Sequence, residues 1–163
     1  MSEKKQYATI EEAINELLQG EDRENALDLA AYLNEGGMSP NMKNWGKVKY
    51  NNEYNIGSMT IKGKDKWCFE VFSSLHYQYG YEDNDEGFVK AVHERVRICE
   101  APCHDECWRA KDVKVFGKEF KSVCSQHSGV FTNPNLKEIG YIKKLIEYRK
   151  KEKPYIQQYH SYN

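Results

Sequence analysis

An α+β fold is predicted, with an N-terminal helical hairpin, an antiparallel β-meander, a cysteine-rich knuckle and a closing C-terminal helix. Three observations carry the prediction. Apolar residues recur at helical spacing up to residue 35 and again beyond residue 135, the period falls to two between residues 45 and 73, and four of the five cysteines crowd into residues 99–124. A chain of 163 residues has a common single-domain size and can bury about two-thirds of its unfolded surface without disulfide staples. One domain is therefore expected over residues 1–154, with the cysteine cluster at 99–127, followed by a loosely held tail over 155–163.

The first helix is announced by Thr9-Ile10-Glu11-Glu12, a capping box whose hydroxyl and carboxylate satisfy free N–H groups of the first turn. Ile10, Ala13, Ile14, Leu17 and Leu18 follow at helical spacing, and Gly20 is expected to stop the helix. A second helix is expected from about Asp22 to Glu35, with Ala26, Leu27, Ala30, Ala31 and Leu33 mostly on one side, ended by Gly36-Gly37 and Pro40. The short link between the two makes an αα-hairpin.

From Trp45 the pattern alternates. Asn51-Asn52 supplies residues that tolerate positive φ in a hairpin turn, Tyr54 to Ile61 forms a second strand, Gly63-Lys64-Asp65-Lys66 a second turn, and Trp67 to Phe72 a third strand. The Lys, Glu and Asn among the large apolar groups suit an antiparallel sheet with one face toward solvent. The acidic run Glu82-Asp83-Asn84-Asp85-Glu86 lacks the spaced ligands and central glycine of a calcium loop. It reads as a solvated loop that feeds negative charge to the N-terminus of a helix over about Asp85 to Arg97, with Phe88, Val89, Val92 and Val96 inward and His93 packed beside them.

The cysteines follow that helix with the spacing Cys99-x3-Cys103-x3-Cys107-x16-Cys124, flanked by His104 and His127. Pro102 breaks helix between the first two, and a strand pair, Val113 to Phe116 and Lys118 to Phe120, brings Cys124 back. Zinc takes four nitrogen or sulfur ligands in a tetrahedron, so Cys99, Cys103, Cys107 and Cys124 would close its shell without a water. His127 is the readiest replacement, and ligation by all four cysteines or by three cysteines and a histidine both remain open. No CxxC knuckle is present, and a redox pair or unrelated buried thiols are the competing accounts.

The closing helix is expected to start with Asn133 as its cap and Pro134 at its first position, and to bury Leu136, Ile139, Ile142, Leu145 and Ile146 before Pro154 ends it. Its end is basic, with Lys143, Lys144, Arg149, Lys150, Lys151 and Lys153. Cations there complement the helix dipole, and beside Tyr148, Tyr155 and Tyr159 they also offer a route to nucleic acid.

Aromatic residues are abundant, with 12 Tyr, 6 Phe and 3 Trp. Tyrosine joins an apolar body to a polar tip and suits interfaces, which makes Tyr77, Tyr79 and Tyr81 candidates for partner contact together with Lys150 and Lys151. Lys plus Arg is 24 against 25 Asp plus Glu, so no global field recruits nucleic acid or an anionic membrane. The charged start and the lack of any apolar stretch of about 18 residues lead to the expectation of a cytoplasmic protein that does not associate with membranes. There is no phosphate-cradling glycine loop, GxSxG, HExxH or dinucleotide fingerprint.

The stretch Cys99 to Pro134, above all Val115-Phe116-Gly117-Lys118-Glu119-Phe120 leading to Val123-Cys124 and then Phe131-x-Asn133-Pro134, together with Asn25-Ala26-Leu27-Asp28-Leu29-Ala30-Ala31-Tyr32-Leu33, resembles a group of small uncharacterised bacterial proteins. The likeness covers most of the chain. It implies a single compact unit with a deliberate cysteine cluster and carries no activity.

Three functions fit these residues. The first, which the sequence favours, is a non-catalytic module stabilised by structural zinc that binds a partner, a protein in the first instance and nucleic acid through the basic helix end in the second. The others are a thiol-based redox or metal sensor, and a zinc-dependent enzyme that combines the cluster with the loop Ser74 to Tyr81.

Overall fold

The computed structural model describes residues 6–44, 46–51, 54–72, 82–98, 110–124 and 129–151. Its helices are α1 (Ile10–Leu17), α2 (Gly20–Glu35), α3 (Glu86–His93) and α4 (Leu136–Lys151). Its strands are β1 (Lys47–Tyr50), β2 (Tyr54–Gly63), β3 (Lys66–Val71), β4 (Ala110–Val115), β5 (Lys118–Cys124) and β6 (Gly129–Thr132). The fold is α+β, with the expected helical pair, antiparallel sheet and closing helix. No helix among the described residues is long and apolar enough to cross a membrane. The chain divides into two compact units, one of Met1–Glu70 with Phe131–Asn163 and one of Val71–Val130.

In the first unit, the Thr9 hydroxyl accepts from the Glu12 N–H at 3.2 Å, and the Glu12 carboxylate reaches back to the Ala8 N–H at 3.0 Å. Gly20 does not end α1. The break falls earlier, at the extended and buried Leu18, and Gly20, at φ +54°, opens α2. The expected glycine stop holds for α2, where Gly37 takes a left-handed φ of +67° and the Met38 N–H returns to the Leu33 carbonyl at 2.7 Å.

The sheet of this unit runs in the order β1-β2-β3-β6. β1 and β2 pair antiparallel from Lys47↔Ser58 to Tyr50↔Tyr54, and Asn51 turns between them at φ +52°. Gly46 precedes β1 at φ +66°, and a Cβ there would lie 1.9 Å from the Met59 carbonyl oxygen, so only glycine lets the two backbones approach. The sequence pattern does not anticipate the fourth strand, β6. Helical faces and sheet bury Ile14, Leu29, Leu33, Ile56, Trp67, Phe69 and Phe131 completely.

α4 begins later than the Asn133-Pro134 signal suggests. Asn135 is the capping residue: its side-chain oxygen accepts from the Glu138 N–H at 3.0 Å while the Glu138 carboxylate accepts the Asn135 N–H at 3.2 Å. Leu136 is consequently 68% exposed rather than inward, while Tyr141 and Arg149 join Ile139, Ile142, Leu145 and Ile146 in the buried set. Asn133 has a different task. At φ +42° its backbone N–H donates to the Trp67 carbonyl at 3.0 Å, its Oδ1 accepts the Trp67 N–H at 2.9 Å, and its Nδ2 donates to the Asp65 carbonyl at 3.0 Å.

The second unit contains α3 and the β4–β5 hairpin. Asp85 caps α3 by accepting the Phe88 N–H at 3.0 Å, and the helix stops at His93, short of the expected Arg97. Phe88 and Val92 are buried as expected, Val89 and Val96 are only half-buried, and Ala91 takes an inward place. The hairpin turns at Phe116 and Gly117, whose φ values are +41° and +83°. A left-handed aromatic costs about 1–2 kcal/mol, and the Phe116 ring is held edge-to-face against Phe88 at 5.1 Å. A second left-handed residue other than glycine, Ser122 at φ +53°, sits by the bulge opposite Lys111 and Val113, with its N–H on Asp112 at 3.1 Å.

Candidate functional site

The clearest anchor for the cysteine cluster is the open end of the β4–β5 hairpin. Cys124 is the last residue of β5 and pairs with Ala110, the first of β4, while Val123 beside it forms an isolated antiparallel bridge with Ile98. Residues 99–109 therefore leave from Ile98 and return at Ala110, and both of these pair with neighbouring residues of β5. Cys99, Cys103, His104 and Cys107 lie on that stretch, and His127 follows Cys124 three residues on; all five lie outside the described residues. Among the described residues no three His, Cys, Asp or Glu side chains come together as a metal site. The remaining thiol, Cys68, is buried in β3.

His93 behaves as the packed histidine expected of it. Its ring is half-buried, lies edge-to-face with Phe120 at 5.3 Å, and places Nε2 2.7 Å from the Val115 carbonyl oxygen. Nε2 is the protonated nitrogen in that contact, since a carbonyl can only accept. On the exposed face of the same hairpin, Asp112 and Lys121 pair at 2.9 Å. The hydrogen bond with Lys121 is the main reason the Asp112 carboxyl is held below its ordinary range, and the same bond raises the Lys121 ammonium. The two lie with Lys114, Glu119 and Phe120 around a surface hollow of about 260 Å³ that carries both signs of charge.

Of the residues expected to contact a partner, Tyr77, Tyr79 and Tyr81 lie outside the described residues, whereas Lys150 and Lys151 close α4. The Lys150 ammonium bonds Glu147 at 2.7 Å and lies over the rings of Tyr32 and Tyr50 at 5.7 and 5.5 Å. Tyr32 donates its hydroxyl to Glu147, and Lys143 bonds Asp28 at 2.6 Å while also facing the Tyr32 ring at 5.4 Å. Burial, followed by the Glu147 carboxylate, pushes the Tyr32 phenol well above its ordinary 10.0. Hydrogen bonds from Lys150 and then Tyr32 pull Glu147 down.

The basic end of α4 is thus stapled to α2 through Tyr32, and two of its lysines are balanced by carboxylates. Lys151 remains exposed, its ammonium over Tyr148 at 5.1 Å. Sequence reading missed this network because Tyr32 and Glu147 are 115 residues apart and each looks like an ordinary helix-surface residue. No family model, no curated protein and no solved structure matches this chain.

Proposed function

We propose that this chain is a non-catalytic binding module in which Cys99, Cys103, Cys107 and Cys124 hold a structural zinc ion, His127 being the alternative fourth ligand, and that it works in the reducing cytoplasm on a protein partner. The observation that carries the reading is the double tether at the end of β5, Ile98 to Val123 and Ala110 to Cys124. Cys99 is one residue from the first tether, and Cys107 is three residues from the second, about 11 Å of chain at most. Ligands on a short closed stretch can converge on a fourth at its base, as a zinc–sulfur distance of about 2.3 Å requires.

Four protein ligands leave no position for an activated water, which speaks for structure over catalysis. Among the described residues, the titratable groups displaced from their ordinary range, Asp112 with Lys121 and Tyr32 with Glu147, are engaged with each other in pairs. The pairing of Lys143 and Lys150 with carboxylates also weakens the basic helix end as a phosphate-binding surface and favours a protein partner.

Metal content and thiol titration test the reading together. Cys68 is 5% exposed and will react slowly with or without metal. The informative step is therefore chelation without denaturant. One zinc per chain, whose removal makes four thiols reactive while a fifth waits for denaturant, is the expected result. Metal-free protein whose thiols outside β3 react at once would overturn the site and leave a thiol-based sensor as the next reading.

A further inference from the structure

We propose that the cleft between α1 and the far end of β2 is a docking site for an acidic segment of a partner protein, which seats one apolar side chain of leucine or methionine size in it. The inference rests on the protein-partner part of the reading above, adds where and how such a partner binds, and does not depend on the metal. The cleft arises from the way the chain enters the sheet. β1 meets β2 at the Lys47↔Ser58 pair, and the Met59 N–H still reaches the Gly46 carbonyl at 2.9 Å, but β2 runs on to Gly63. Before β1 the chain turns back on itself, with Asn41 bridged to Lys47 and the Gly46 N–H on the Asn41 carbonyl at 2.9 Å. A hollow of about 130 Å³ is left beside the end of β2, lined by Ile10, Ala13 and Leu17 of α1, by Met42, and by Met59 and Ile61 of β2.

Volume decides the class of occupant. Sites for whole small molecules span about 300–1,000 Å³, so a hollow of about 130 Å³ admits one side chain and not a cofactor-sized ligand. Apart from the hydroxyls of Tyr7 and Thr60 its described lining is apolar, and Met42 and Met59 give it flexible, polarisable walls that adapt to a branched or a straight anchor. Charge decides what flanks the anchor. Lys43, Lys47 and Lys62 each follow a lining residue in the chain, Met42, Gly46 and Ile61, and none of the three ammonium groups has an ion pair with a described residue. The glutamates of α1 are committed within the chain, Glu11 to the Asn34 amide and Glu12 to the Ala8 N–H, and Glu16 is engaged as well. Uncommitted cations beside an apolar hollow favour carboxylates on either side of the inserted residue, which steer the encounter while the anchor supplies the affinity.

Methyl NMR of the full chain, titrated with the end-blocked peptide Glu-Asp-Glu-Leu-Glu-Asp-Glu, tests the site. Saturable shifts are expected at the methyls of Ile10, Leu17, Met42, Met59 and Ile61. Replacing the peptide's leucine with alanine should weaken binding by about tenfold or more, and raising salt from about 50 to about 300 mM by about threefold or more. The double variant Lys43→Glu with Lys62→Glu, at two exposed positions, should keep the cleft methyls where they are in the free protein and lose about threefold or more in affinity. Shifts that fall elsewhere, or binding indifferent to the leucine, overturn the cleft as the docking site. Hexanoate that moves the cleft methyls where the peptide does not overturns the protein segment in favour of a small carboxylate. Zinc measured in the same samples separates the two readings: peptide binding at the cleft of a zinc-free chain overturns the metal site alone, and a zinc-loaded chain whose cleft methyls never move overturns the docking site alone.

Discussion

Replacing Asn133 with alanine tests whether one side chain holds the first unit's sheet edge. Asn133 stands at φ +42° and its Oδ1 is the acceptor for the N–H of Trp67, a residue that is 0% exposed. Alanine would leave that buried donor unmatched, at about 1–3 kcal/mol. It would also meet the left-handed conformation without the local hydrogen bonding that lets asparagine tolerate it, adding up to about 1 kcal/mol. The lost Nδ2 bond to the Asp65 carbonyl adds little, since that carbonyl is exposed to water. The total is about 1–4 kcal/mol, or roughly 2–16 °C in melting temperature for a chain of this size. Urea unfolding followed by far-ultraviolet circular dichroism should show the lower midpoint with an unchanged slope. Asn133→Gly removes the same hydrogen bonds but accepts the backbone, and should recover about 1 kcal/mol relative to alanine. A loss below about 0.5 kcal/mol for alanine, or a glycine variant less stable than alanine, would refute the argument.

Two further perturbations have a direction set by the structure. In the unfolded chain Tyr32 ionises near its ordinary 10.0, whereas burial and Glu147 keep the folded phenol protonated; its contribution is therefore complete below that pH and lost as pH rises above it. Tyr32→Phe should flatten the fall in urea midpoint between about pH 9 and 11, and parallel curves for the two proteins would contradict the assignment. Gly46→Ala combines a left-handed φ with a Cβ 1.9 Å from the Met59 carbonyl oxygen, for an expected loss of about 2–5 kcal/mol. Unfolding of this variant at the wild-type midpoint would show that β2 gives way without cost and that the close approach does not require glycine.

What could be read from the sequence was what local chemistry decides. Thr9 with Glu12, Asp85 before α3, and Gly36-Gly37 after α2 each satisfy or terminate a helix within a few residues, and each appears in the fold. Asn133-Pro134 failed for an instructive reason. Asparagine before proline satisfies the rule for a helix start, but its partner is Trp67, 66 residues earlier, and the true capping box at Asn135 and Glu138 lies two residues on. The same shift left Leu136 exposed. β6 carries the four residues Gly129–Thr132, too few to display a period, and exists because β3 offers it an edge. For the cysteines, spacing alone named ligand types; the tether of Ile98 and Ala110 to β5 depends on pairing that no spacing rule encodes.

The described side chains of the two units hold them together in different ways. In the first, the buried Asn25 donates to the Pro134 carbonyl at 3.1 Å, the buried Arg149 donates to the Asn55 carbonyl at 3.3 Å, and Asn133 accepts the Trp67 N–H. These interactions tie helix to sheet or strand to turn, so changing them should alter stability before it alters any binding. The second unit buries Phe88, Val92, Val113, Val115 and Val123 among its described residues and holds two non-glycine residues, Phe116 and Ser122, at left-handed φ. Among the described residues, the stability of this unit therefore rests on the packing of those side chains about the hairpin and α3.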